Sequence, residues 1–168
     1  VNSLVYQGVA LYNGSETLTV NYSDGSLVAP VNLSATPVSQ GFTVMPVNDA
    51  PTLALAPVVG ASEDTPLSVG GLVTIGDVDA IPSEIATFTA TVSAIGTLTV
   101  NALPGGVTQT GSGSSQVVVK GNLTDINNWL ATVSALVYQG IANYNGSETL
   151  TVRYSDGSLI APANRSAP

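Results

Sequence analysis

Tyr144-Asn145-Gly146-Ser147-Glu148-Thr149-Leu150-Thr151-Val152-Arg153-Tyr154 reads as a tight turn running into a β-strand. Asn-Gly is a favoured turn dipeptide because both residues tolerate positive φ. Beyond it, Thr149 to Tyr154 alternates polar and apolar residues, the period of a strand with one buried face. The same alternation returns in Thr17-Leu18-Thr19-Val20-Asn21-Tyr22, Ala86-Thr87-Phe88-Thr89-Ala90-Thr91-Val92, Thr97-Leu98-Thr99-Val100 and Gln116-Val117-Val118-Val119-Lys120. Turn signals separate these runs: Asn13-Gly14, Asp24-Gly25, Gly70-Gly71, Pro104-Gly105-Gly106 and Gly111-Ser112-Gly113. One segment breaks the period. Leu123-Thr124-Asp125-Ile126-Asn127-Asn128-Trp129-Leu130 sets Ile126, Trp129 and Leu130 on one helical face, with Thr124 suited to the N-cap. It predicts a short helix crossing between strands, with Trp129 plugging the core rather than stacking on a sugar. Many short strands and one helix predict an all-β fold, an antiparallel immunoglobulin/cadherin-like β-sandwich.

Composition narrows the chemistry. Hydrophobic residues make up 44% of the 168-residue chain, enough for a core, while charged residues are only 8%. Its polar surface therefore rests on Thr, Ser, Asn and Gln, which suit strands and turns. A net charge of -8 opposes binding to nucleic acid or to anionic lipid. Cysteine and histidine are both absent, which removes thiolate and histidine-based catalysis and nearly every zinc site. No apolar run is long enough for a membrane-spanning helix. An extracellular domain without disulfides needs another staple, and bound metal is one.

The sequence also repeats itself. Leu4-Val5-Tyr6-Gln7-Gly8 returns as Leu136-Val137-Tyr138-Gln139-Gly140. Tyr12 to Val20 returns as Tyr144 to Val152, and Tyr22-Ser23-Asp24-Gly25-Ser26-Leu27 as Tyr154-Ser155-Asp156-Gly157-Ser158-Leu159. The offset is constant, about 132 residues, which fits whole domains in tandem rather than solenoid units. Residues 1–47 are expected to be the C-terminal strands of a preceding repeat, opening mid-strand at Val1-Asn2-Ser3. Residues 48–168 are expected to form a near-complete repeat lacking its last strand, the counterpart of Gly41-Phe42-Thr43-Val44-Met45-Pro46-Val47.

Most of the eleven acids sit in short motifs beside turns: Asn48-Asp49, Glu63-Asp64, Asp77-Val78-Asp79, Asp125, Glu148, and Asp24 with its copy Asp156. Gathered carboxylates repel one another and raise each other's pKa unless a cation neutralises them. Calcium takes six to eight oxygen ligands at flexible geometry, which Asp, Glu, Asn and backbone carbonyls supply. Asp49, Glu63, Asp77 and Asp79 are therefore expected to act on calcium together. Asp24 and Asp156 also serve hairpin turns, Asp125 also suits a helix N-terminus, and Glu16 and Glu148 also read as solvated strand residues. A glycosidase carboxylate pair would need aromatic platforms, and aromatics are only 5% of the chain.

Taken in order, Val47-Asn48-Asp49-Ala50-Pro51-Thr52, Glu63-Asp64-Thr65-Pro66, Asp77-Val78-Asp79, Leu123 to Leu130, Tyr144 to Val152 and Ser155-Asp156-Gly157 resemble the cadherin-like tandem repeats of giant bacterial surface proteins, including extender regions of RTX-type adhesins. The likeness covers essentially the whole chain, with extra material between about Gly105 and Ser115. The resemblance implies calcium (Ca2+) at the junctions between repeats. By position, Asn48 and Asp49 would be linker ligands, Glu63 a bridging carboxylate, and Asp77 and Asp79 paired ligands. Asp24 and Asp156 would be the contributions of successive repeats. It implies a structural, non-enzymatic extender at the cell surface or outside the cell, whose partners are neighbouring repeats or identical subunits. A second expectation is a filament subunit assembled by β-strand complementation between copies. An adhesin head gripping sugar or ice is disfavoured by the lack of aromatic clusters and of a flat Thr array. Sequons at Asn13, Asn32, Asn122 and Asn145 permit glycosylation, though Asn-Gly-Ser also serves turns.

Overall fold

The computed structural model describes residues 4–30, 33–58, 60–93, 95–160 and 165–167, so Val1-Asn2-Ser3 and the Asn32 of its sequon fall outside the described residues. The chain divides into two compact units, Val1–Pro46 and Val47–Pro168. It is all-β with one helix among the described residues, and every strand pairing is antiparallel.

The first unit is a hairpin. Strand β1 (Gly14–Val20) pairs along its whole length with β2 (Val38–Val44), from Gly14 opposite Val44 to Val20 opposite Val38. Beyond Val20 the pairing slips by one residue to a bridge between Ser23 and Ser34. Such a slip is a bulge, which admits one extra residue and increases the local twist. Tyr6 meets Phe42 edge to face, with ring centroids 5.0 Å apart. Residues 4–9 form no strand, and the mid-strand opening expected at Val1-Asn2-Ser3 lies outside the described residues. Leu4, Val5, Leu18, Val20 and Tyr22 remain exposed.

The second unit is sandwich-like. Its largest sheet has the order β12-β11-β6-β9-β8, using β6 (Ala86–Val92), β8 (Thr108–Thr110), β9 (Gln116–Gly121), β11 (Leu150–Ser155) and β12 (Ser166–Ala167). A second sheet has the order β4-β10-β7, from β4 (Leu67–Ser68), β7 (Thr97–Val100) and β10 (Leu136–Gln139). A short pair, β3 (Thr52–Leu55) and β5 (Val73–Gly76), completes it. The period-two residues do what alternation requires. Ala86, Phe88, Ala90 and Val92 of β6, Val117 and Val119 of β9, and Val152 and Tyr154 of β11 are all buried, and they meet Leu98, Leu136 and Tyr138 in one core. The extra material after Gly105 is the β8–β9 hairpin, one more strand on the edge of the large sheet.

Helix α1 (Leu123–Leu130) buries Ile126, Trp129 and Leu130, as its spacing predicts. Its N-cap is Asn122, not Thr124: the Asn122 side chain accepts from the Asp125 backbone N–H at 2.9 Å. Asn122 also donates to the Asp125 carboxylate at 2.7 Å, which fixes Asp125 in the first turn. Trp129 packs edge to face on Phe88 and donates its indole N–H to the Asn101 carbonyl at 2.8 Å, so the ring is closed off from any sugar. The Asn127 amide donates to Ile75 O at 2.8 Å and accepts from Ile75 N–H, closing the edge of β5.

Candidate cation site and a second acidic centre

The second unit gathers acids in two places. The first lies where its opening residues meet the loop after β5 and the end of β11. Asn48 is buried and donates to Asp156 Oδ2 at 2.7 Å. Asp156 is buried too, and accepts from the backbone N–H groups of Ser158 (3.0 Å) and Arg165 (3.1 Å). Gly157, at φ 69°, makes the turn that permits this, and a Cβ there would run into the Ile85 carbonyl. The backbone N–H of Asp49 donates to Asp79 Oδ2 at 2.9 Å, while the Asp49 carboxylate lies at an exposed position. Asp79 N–H in turn donates to Asp77 Oδ1 at 3.3 Å, the local geometry of an Asp-X-Asp turn.

Glu84 belongs to this neighbourhood and was not among the residues expected there. It is 6% exposed; its Oε2 accepts from the Ile81 N–H at 3.1 Å, and its Oε1 is buried without a hydrogen-bond partner among the described residues. The same holds for Asp79 Oδ1. Buried polar atoms are satisfied in the great majority of native structures, so two orphaned carboxylate oxygens in one acidic region ask for a partner. The sequence did carry a signal: Glu84 shares the inward parity of Ala86, Phe88 and Ala90.

The electrostatics agree with crowding. The Asp77 carboxyl is pushed up to about 6, first by its burial, then by the hydrogen-bonded and charged Asp79 and by the charge of Asp156. Burial raises the Tyr154 hydroxyl above its ordinary range, and the charges of Asp77, Asp156 and Glu84 add to it. Three acids thus act on one buried tyrosine. Among the described residues, no three Asp or Glu side chains already form a closed cage around one point. The donors are nonetheless all oxygens, the chemistry that a hard cation takes.

The second acidic centre holds the other expected residues. Glu148 accepts from the backbone N–H groups of Ser93 (2.7 Å), Gly96 (3.3 Å) and Ile95 (3.4 Å), from the Ser93 hydroxyl, and from Tyr138 Oη at 3.4 Å. It is a loop anchor, not a plain solvated strand residue. Burial first, and then Glu148, raises the Tyr138 hydroxyl. Glu63 and Asp64 are exposed, and both line a cavity of about 640 Å3 with Glu148, Tyr138 and Leu150. Asp64 accepts from the Asn143 N–H at 2.9 Å. The structure therefore brings Asn48, Asp77, Asp79 and Asp156 together and sets Glu63 on the wall of this cavity instead. Asp24 belongs to the first unit, where it is exposed and its Oδ1 accepts from Ser26 N–H at 2.9 Å, the same turn that Asp156 makes.

Comparison with protein-family models, with curated proteins and with solved structures returned no match for this chain.

Proposed function

We propose that the chain is a structural extender repeat of a large extracellular, cell-surface adhesin of cadherin-like tandem type, stiffened by calcium and without catalytic activity. The single observation that carries the calcium reading is the pair of buried, unpartnered oxygens, Asp79 Oδ1 and Glu84 Oε1, in a region where Asp77 and Asp156 also crowd. Asp77, Asp79, Glu84 and Asp156 would hold the ion, with Asn48 and Asp49 as neighbours. A bound divalent cation would supply the positive charge that this set lacks.

The rest of the mechanism belongs to the chain. Asn48 and the backbone of Asp49 are tied to Asp156 and Asp79, so the opening residues of the second unit are held by the same carboxylates that a cation would neutralise. Repulsion among those carboxylates loosens that hold, and neutralisation tightens it. The stretch from Val47 to Asp49 would then stiffen with calcium, as a stalk built of many repeats requires. Asp24 would play the part of Asp156 for the first unit.

Calorimetric titration of the chain with calcium is expected to show binding at roughly 10⁻⁴ to 10⁻³ M, the range of extracellular modules. Asp79→Asn combined with Glu84→Gln is expected to abolish it, and chelator is expected to lower the melting temperature of the unaltered chain. No heat of binding, together with a melt that chelator leaves unchanged, would remove the calcium reading.

A further inference from the structure

We propose that the outer face of the large sheet in the second unit binds an acidic polysaccharide, a polyhydroxyl chain with widely spaced carboxylates. Calcium plays no part in this binding. Charge is unevenly placed on the molecule, which holds eleven acids and three basic residues. In β6, β8, β9 and β11, the positions that alternate with the core residues carry no Asp or Glu, yet they carry Lys120 and Arg153. Two of three cations thus stand on one face of a chain with net charge -8. Neither makes an ion pair among the described residues.

Strand pairing builds the rest of the face. Thr87, Thr89 and Thr91 alternate with the buried Ala86, Phe88, Ala90 and Val92, so they point outward from β6. Directly paired residues share a side of the sheet. On β11, Thr151 lies opposite Thr91 and Arg153 opposite Thr89; on β9, Lys120 lies opposite Thr87. Thr108 and Thr110 of β8 extend the rows beyond Lys120 and Val118. The Gln116 amide donates to the Thr91 hydroxyl at 3.1 Å, which ties two of these side chains together. No flat Thr array is legible in the sequence because the hydroxyls come from separate strands and share a face only once those strands pair.

The chemistry of these side chains selects the occupant. Hydroxyls both donate and accept, which matches a polyhydroxyl ligand. Lys120 and Arg153 supply charge-assisted contacts to carboxylates. Their backbones stand about 10 Å apart across the strands and about 7 Å along them, with Thr87 and Thr89 on the strand between. That spacing suits an extended ligand with sparse charge. Duplex nucleic acid, with one charge per about 1.7 Å, is too densely anionic for two cations on a chain of net charge -8. A protein partner would want aromatic or large apolar anchors. Among the described residues, no exposed large hydrophobic side chain lies on this face.

The probe is hyaluronate, a polymer with a carboxylate on every second sugar, immobilised and exposed to the whole chain by surface plasmon resonance. Chelator is present throughout, so that calcium cannot bridge carboxylates of the two partners. Salt is held at about 0.1 M, where charges more than about 10 Å away are largely screened. Binding is expected, weakened about tenfold or more by Lys120→Gln with Arg153→Gln at an unchanged melting temperature. Gln7→Glu with Gln40→Glu lowers the net charge equally but in the first unit, and should leave binding within about twofold. Dextran, which lacks the carboxylates, and polyacrylate, which lacks the hydroxyls, should each bind about tenfold more weakly or worse. No binding to hyaluronate, equal losses from the two pairs of substitutions, or polyacrylate binding as tightly as hyaluronate would overturn the proposal. So would self-association of the chain that Lys120→Gln with Arg153→Gln abolishes, since the face would then belong to a second copy.

Discussion

Residues 4–24 and 136–156 are nearly the same sequence in two different environments. The local structure is copied: Tyr12 Oη donates to Ser15 O and Tyr144 Oη to Ser147 O, Tyr12 N–H reaches Val9 O and Tyr144 N–H reaches Ile141 O, and Asp24 and Asp156 each close a turn. The burial is not. Leu4 is 81% exposed and Leu136 0%; Tyr22 is 67% exposed and Tyr154 1%. Turn chemistry travels with the sequence, because its partners lie within a few residues. Core status does not, because it depends on β6, β7 and β9, which come from elsewhere in the chain.

The largest expected effect breaks this comparison at its core. Leu136→Ala should destabilise the second unit by about 2–5 kcal/mol in chemical denaturation, the usual cost of hollowing a packed site. Leu4→Ala should stay within about 0.5 kcal/mol. Equal costs would mean that Leu4 is packed as closely as Leu136.

Next comes the turn acid. Asp156→Ala removes the acceptor for Asn48, Ser158 and Arg165 and is expected to cost about 1.5–3 kcal/mol, whereas Asp24→Ala, whose side chain accepts one exposed hydrogen bond among the described residues, should cost about a few tenths. The strand acid follows. Glu148→Ala frees the Ser93-to-Gly96 loop and should cost about 1–2 kcal/mol, with faster amide exchange at Ser93, Ile95 and Gly96. Among the described residues Glu16 anchors no such loop in the first unit, and Glu16→Ala should be close to neutral.

The smallest effect is one of pH. The Asp77 carboxyl is raised from 3.8 to about 6 in the folded protein, so the folded state holds a proton that the unfolded chain has already released. Its contribution to stability is therefore full below about pH 4 and is lost as pH rises through about 6. In chelator, the melting temperature of the unaltered chain relative to Asp77→Asn should fall across that window. Calcium should flatten the difference, since a bound cation favours the ionised carboxylate.

What the sequence disclosed follows the reach of each signal. Period-two runs located β6, β7, β9 and β11 to within a residue or two, because parity is decided by adjacent residues. Trp129 was readable as a core residue for the same reason, through its spacing from Ile126. The helix cap was misplaced, since Asn122 and Thr124 are both competent caps and the chain must choose one. Asp77, Asp79, Asn48 and Asp156 were readable as motif residues. Glu84 was passed over because it stands alone between Ser83 and Ile85, and its orphaned oxygen emerges only from packing. The anchoring role of Glu148 was hidden likewise, since its loop of partners lies far away in sequence.

The indole of Trp129 has a further use. It is the single tryptophan of the chain, and it is sealed against Phe88 in the second unit. Excited selectively, its emission is an optical gauge of that unit alone: a blue-shifted band while the ring stays dry, moving red once water reaches it. The first unit is silent at that wavelength, so the two halves can be followed separately in one cuvette without any label.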